Sequence, residues 1–185
     1  MNSTPPSPTP APQEDGPSGR ILGIDPGLLV TGYAVLGPRD GAPQVCEAGI
    51  VRSAEGRAPT DMARRVRVLY DGIAEVLDQF RPGVMVVEQL FAHYDHPRTA
   101  ILMAHARGVI LLAAAQRDVP VHSYSATRIK KTITGNGRAS KERVQRTVQR
   151  ELGLPQLPEP PDVADALAVA LCHYYDRKLP AGGGP

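Results

Sequence analysis

The 185-residue chain has no tryptophan, only two phenylalanines and just two cysteines, Cys46 and Cys172. Two distant thiols with no Cys-x-x-Cys pair exclude a disulfide-stapled scaffold and a cysteine zinc site. Both are expected to be small core residues in a reducing cytosol. Long apolar runs are missing as well. The longest in the middle of the chain, Val109 to Ala115, is far short of the roughly 20 residues a membrane helix needs. The opening MNSTPPSPTPAPQEDGPSG lacks the basic start and apolar stretch of a secretory signal. Its six prolines in 19 residues mark a disordered tail over 1–19. The end of the chain, 179–185, closes on AGGGP and is expected to be disordered too. These features predict a cytoplasmic protein with one domain over 20–178.

Net charge is also small, at +2, but it is unevenly placed. From Arg128 to Arg150 there are eight Lys or Arg and one acid, Glu142, a local charge of +7 that leaves −5 elsewhere. A basic segment on a mildly acidic body points to a polyanionic partner. A solvated helix face is the plainer explanation of the same charges.

Three β-like runs come first, Arg20–Asp25, Thr31–Leu36 and Gln44–Val51, joined by short Gly- and Pro-rich connections that predict an antiparallel meander. Met62, Val66, Leu69, Ile73, Val76 and Phe80 recur at helical spacing between Pro59 and Pro82-Gly83. Val84 to Val87 reads as a buried strand ending at Glu88. A polar loop then leads to a second helix, about Arg98 to Arg117, and to a fifth strand, Val119 to Tyr124. A short helical stretch, a Gly135-Asn136-Gly137 turn and a basic helix capped by Ser140 follow. The last helix starts near Asp162 and runs to about Arg177. The order βββαβαβαα predicts an α/β fold, a mixed five-stranded sheet flanked by helices.

Two apolar runs end on an acid, Asp25 and Glu88. Asp is disfavoured in strands and costly when buried alone. If the two strands are neighbours, their carboxylates meet at one edge. In PDVADALAVAL, Asp162 and Asp165 are three apart and share one face in the first turn of a helix. Each acid has a plainer role: Asp-Pro-Gly is a turn signal, Glu88 could pair with an arginine, and Asp162 could cap its helix. Together they sit on elements that must pack against one another. Four such carboxylates would repel strongly in a low-dielectric site. Divalent cations with oxygen ligands relieve that repulsion, and two ions about 3.5–4 Å apart suit phosphodiester hydrolysis.

With Ile-Leu-Gly-Ile-Asp-Pro-Gly, Val-Thr-Gly-Tyr, Val-Val-Glu-Gln-Leu-Phe, Ala-Arg-Gly-Val and Asp-Val-Ala-Asp-Ala-Leu-Ala-Val-Ala in order, residues from about Arg20 to Tyr175 resemble the RuvC family. These are bacterial crossover (Holliday) junction endodeoxyribonucleases with the RNase H-like, retroviral integrase superfamily fold. The resemblance implies that Asp25, Glu88, Asp162 and Asp165 form the catalytic tetrad and hold two Mg²⁺ or Mn²⁺ ions. It implies that Phe91 stacks on bases near the crossover, a contact worth about 1–3 kcal/mol. Lys130 and Lys141 match basic residues at the DNA backbone or the scissile phosphate. Arg128, Lys131, Arg138, Arg143 and Arg146 are expected to add phosphate contacts. A homodimer would nick a four-way junction symmetrically, leaving 5′-phosphate ends, and would act with the branch-migration proteins RuvA and RuvB. Either the helix from Met62 or the one from Arg98 would supply the dimer surface.

Two departures stand out. Leu28-Leu29 replaces the Ser or Thr that relatives carry after Asp-Pro-Gly, removing a hydroxyl from the edge of the site. The segment Ala92 to Arg98 is longer than in relatives. His93 and His96 within it have ligand-like spacing but no partner motif. Competing readings are a nucleotide-binding actin/sugar-kinase domain, for which the chain is too short, a non-catalytic junction-binding protein, and an RNase H-fold nuclease for another structured nucleic acid.

Overall fold

The computed structural model describes residues 19–39, 41–53, 61–89 and 97–178. The meander forms as the turn residues dictate: β1 (Ile21–Asp25), β2 (Val30–Arg39) and β3 (Ala42–Arg52) pair antiparallel in succession. Thr31, fully buried, closes the first turn by donating its hydroxyl to the Gly27 carbonyl at 2.6 Å and accepting from the Gly27 N–H at 3.2 Å. Helix α1 (Met62–Phe80) then crosses one face, burying Leu69, Ile73 and Leu77. It returns the chain to β4 (Val84–Glu88), which lies parallel to β1. A second crossover, α2 (Pro97–Ala115), leads to β5 (Val121–Tyr124), parallel to β4, so the sheet order is β3-β2-β1-β4-β5.

Three helices follow β5, one more than the βββαβαβαα pattern counts. The short stretch after β5 is a full helix, α3 (Ala126–Thr134). The Ser125 side chain caps it at the start, and the left-handed Gly135 ends it at φ 76°. Ser140 caps α4 (Lys141–Glu151) as its position predicts, accepting from the Arg143 N–H. α5 (Pro161–Asp176) begins with proline in its first turn, where the missing N–H costs nothing.

The sheet separates two cores. On one face Leu22, Ile24, Met85 and Val87 pack against α1 and α2. On the other, Ile21, Val84 and Val86 pack against α3, α4 and α5. Helix α5 presents Ala164, Ala166, Ala168 and Ala170, all essentially buried, and lies directly on β1 and β2. A Cβ on Gly23 would stand 2.4 Å from the Ala166 carbonyl oxygen, and one on Gly32 would stand 2.1 Å from that of Asp162. Bare backbone at these two positions is what lets the helix settle there.

Cys172 is buried in this core, as expected, whereas Cys46 is exposed. Cys46 lies on β3, an edge strand whose residues are only partly covered, so hydrophobic character alone does not bury it. The tails 1–18 and 179–185, along with Phe91, His93 and His96, lie outside the described residues.

Gly32→Ala is expected to destabilise the fold by about 1–3 kcal/mol through overpacking. Gly108→Ala, in α2 with open space around its Cβ, is expected to gain about 0.5–1 kcal/mol from helix propensity. Urea unfolding midpoints of the two variants measure the contrast, and equal midpoints would contradict the close-approach account.

Candidate active site

The pleat decides which side chains meet. Side chains alternate across a strand, so in β1 Ile21, Gly23 and Asp25 face α5, as do Val84, Val86 and Glu88 in β4. Ile24 pairs with Val87 in the parallel register, which sets Asp25 beside Glu88 at the C-terminal ends of adjacent central strands. The packing of α5 on Gly23 and Gly32 then carries Asp162 and Asp165 to the same edge.

Asp25, Glu88 and Asp165 line one cavity of about 160 Å³, together with Lys130, Lys141, Ala126, Ile129, Val144 and Ala168. Asp162 does not line it, though its charge acts on Asp25. Burial is the largest influence on Asp25 and pushes its carboxyl from 3.8 up to about 7, with Asp165, Glu88 and Asp162 adding repulsion in that order. Glu88 is raised for the same two reasons, burial first and then Asp165. Two cations partly answer this: Lys141 and Lys130 both act to lower Glu88, and Lys141 donates to Asp165 Oδ2 at 3.3 Å, which raises the pKa of Lys141 itself. The Lys141 side chain is 77% exposed, so the pair contributes at most about 1 kcal/mol. With its carboxyl held at about 7 instead of 3.8, Asp25 resists ionisation at neutral pH. The cluster is therefore left electrostatically unsatisfied.

The other predicted cations are dispersed. Arg128 is drawn into an ion pair with Asp176 and lies 5.1 Å over the Tyr124 ring. Lys131 and Arg138 are exposed on α3 and the loop after it. Arg143 and Arg146 line a wider groove of about 430 Å³ with Thr134, Ser140 and Arg150. Helical spacing sets that arginine stripe nearly opposite Lys141 on α4. This larger groove shares no lining residue with the acidic cavity. The two leucines after Asp-Pro-Gly also separate: Leu28 is buried in the α1–α2 core, while Leu29 is exposed.

Arg107, inside the Ala-Arg-Gly-Val motif, carries no sequence signal for a role at the site. From α2 it donates to the Glu88 carbonyl at 2.8 Å and to the Ser123 hydroxyl at 2.7 Å. Its helical position gave no hint of this, because the partners come from two other elements.

Among the described residues, no three His, Cys, Asp or Glu side chains are arranged to enclose a metal ion in this conformation. The donor chemistry nevertheless fits a hard divalent cation. The ionisable acceptors of the cavity are all carboxylates, two of them held back from ionising by burial and mutual repulsion.

A mixed sheet of this order, with acids ending adjacent central strands and a third element supplying two more, defines an RNase H-like fold carrying a carboxylate site. A solved structure of Thermus thermophilus RuvC in complex with Holliday junction substrate matches with a TM-score of 0.77 and 33% identity, over 86% of this chain and 95% of that one. The family model for crossover junction endodeoxyribonuclease RuvC matches residues 21–173, and the chain belongs to that family. The RuvC of Rhodopirellula baltica is 52% identical over 162 residues, covering 86% of this chain and 88% of that protein. The RuvC of Moorella thermoacetica is 45% identical over 153 residues, covering 83% and 89%.

Because the folded state holds the Asp25 proton to about pH 7 while the unfolded chain releases it near 3.8, Asp25 lowers stability progressively as pH rises between those values. In EDTA, Asp25→Asn is expected to match wild type at pH 4 and to exceed it by about 1–3 kcal/mol at pH 8. Chemical unfolding at both pH values checks this; a variant less stable than wild type at pH 8 contradicts it.

Proposed function

We propose that this protein is a structure-selective endonuclease that resolves four-way Holliday junctions by paired, symmetric, metal-dependent phosphodiester hydrolysis during recombination and repair. The observation that carries the reading is the convergence of Asp25, Glu88 and Asp165 in one cavity with Lys130 and Lys141, in a chain of the RuvC family. The 33%-identical Thermus thermophilus relative was solved with Holliday junction substrate, which favours a junction over other structured nucleic acids.

In this reading 20–178 is the nuclease domain and the segments 1–19 and 179–185 are tails. Asp25, Glu88, Asp162 and Asp165 are the residues that would hold two Mg²⁺ or Mn²⁺ ions. Bound there, divalent cations supply charge neutralisation and Lewis acidity for attack of water on phosphorus, giving 5′-phosphate products. Lys141, already directed at Asp165, stands beside the cavity where a phosphate would enter and opposes its negative charge. Lys130, also on the cavity wall, does the same from α3. Lys131, Arg138, Arg143 and Arg146 would extend phosphate contacts over the surface, while Arg128 is engaged mainly by Asp176. Phe91 would stack on bases at the opened crossover.

A homodimer matches the two-fold symmetry of the substrate. Support comes from α2, which leaves the apolar side chains Ile101, Leu102 and Leu112 exposed at 57%, 37% and 50%. RuvA and RuvB are the branch-migration partners in this reading. No helix among the described residues is long and apolar enough to cross a membrane, in keeping with action in the cytoplasm.

With a labelled mobile four-way junction and Mg²⁺ or Mn²⁺, paired nicks on opposing strands are expected, with none in EDTA and none on linear duplex. Equal cutting of linear duplex would point to a general nuclease. Asp25→Asn and Glu88→Gln are expected to lower cleavage by at least 10³-fold while retaining junction binding, as loss of a metal ligand harms chemistry before affinity. Near-wild-type cleavage by either variant removes the metal-site assignment. Lys141→Ala is expected to slow cleavage and to flatten the dependence of log affinity on log salt by about one unit.

A further inference from the structure

Glu88 is the last residue of β4, where the ladder to β5 gives out. The final partners are Glu88 with Tyr124, and one more bond runs from the Gln89 N–H to the Tyr124 carbonyl at 2.9 Å. Strand ends fray unless something holds them. Here the hold comes from the opposite side of the sheet. Arg107 reaches from the middle of α2 and spans the two strands, one amino group on the Glu88 carbonyl at 2.8 Å and the other on the Ser123 hydroxyl at 2.7 Å.

Arg107 contacts the backbone of Glu88 and leaves its carboxylate alone. The Glu88 side chain points toward α5, whereas Arg107 lies on the α2 face. A cation placed among the acids, as Lys141 is, competes for them; one behind the sheet fixes an acid in place without neutralising it. Among the described residues no carboxylate pairs with Arg107, so a half-buried guanidinium is spent on one carbonyl and one hydroxyl. Burial is the only influence on it and disfavours its charge. Stabilising β4 alone would call for a cheaper, neutral donor. A planar fork with fixed donor spacing gives what a lysine or glutamine lacks, two bonds at a set angle across two strands.

We propose that Arg107 is a positioning residue for the carboxylate site, holding the Cα of Glu88 at the distance from Asp25 and Asp165 that a bound divalent cation requires. Ser123 is the second anchor of the same device. This rests on the carboxylate reading given above. Residues that orient a ligand from behind typically change metal affinity or activity by about 10–100-fold when lost.

The test uses the full chain with Mn²⁺ alone and then with the labelled junction. Without DNA, the rise in melting temperature on Mn²⁺ titration gives the half-saturating concentration for wild type, Arg107→Gln, Arg107→Lys and Ser123→Ala. Arg107→Gln is expected to raise that concentration about tenfold or more, and to slow cleavage at sub-saturating Mn²⁺ by a similar factor. Junction binding in Ca²⁺ should be unchanged. Arg107→Lys should recover only part of the loss, because it keeps the charge but not the fork. Ser123→Ala, which removes one anchor and leaves Arg107 in place, should raise the concentration about two- to threefold, and it carries the test if Arg107→Gln does not fold. Wild-type metal dependence in Arg107→Gln, or full recovery by Arg107→Lys, overturns the proposal. Asp25→Asn runs alongside: if it no longer cleaves while Arg107→Gln behaves as wild type, only the positioning role falls. If Asp25→Asn itself cleaves normally, the carboxylate reading falls and this inference with it.

Discussion

Everything at the acidic edge depends on one contact, the bare approach of α5 to the backbone of β1 and β2. At Gly23 and Gly32 the helix backbone occupies the space that side chains would fill, with Ala166 and Ala170 against the first glycine and Asp162 against the second. Such proximity gives good dispersion contact at short range. It also determines function, because Asp162 and Asp165 are carried by the segment that is pressed down. A larger residue at either glycine would lift two of the four acids away from the other two. The stretch that reads as Ala-rich helix and the glycines that read as strand weaknesses are two halves of one joint.

That joint holds together groups that oppose it. Asp25 is half-buried among like charges, and its neighbour across the strand boundary is raised for the same reason. The core on either side of the sheet is largely apolar, so stability comes from there and is partly given up at the edge. This is the usual sign of a site kept for chemistry: a local conflict maintained by a consistent surrounding structure.

Much of this was legible in the chain. Periodicity located α1 to the residue, and the two apolar runs that end on acids marked β1 and β4, because period and breaker residues are local signals. The adjacency of those strands was not legible, since pairing is a long-range choice that short apolar runs leave open. The extra helix after β5 was undercounted because nine residues between a serine cap and a glycine give little periodicity to read. Cys46 misled for a related reason: which face of an edge strand is covered depends on the helices packed there, not on the residue. The basic segment was visible as charge, but its division could not be. Composition adds up Lys141, Arg128 and Arg143 as equals, whereas one faces the acids, one is tied to Asp176, and one lies on the far side of α4.

The alternating pleat that aims Asp25 and Glu88 at α5 also imposes a rule of parity. Because consecutive side chains of a strand point to opposite faces, sliding β4 by one residue against β1 would send Glu88 into the α1–α2 core and bring Val87 to the acids. A slip of two would restore the facing but displace the carboxylate by about 7 Å along the strand. The site thus tolerates drift in the connections around it while β1 and β4 remain locked in step, and the hydrophobic pattern of the two strands is what keeps count.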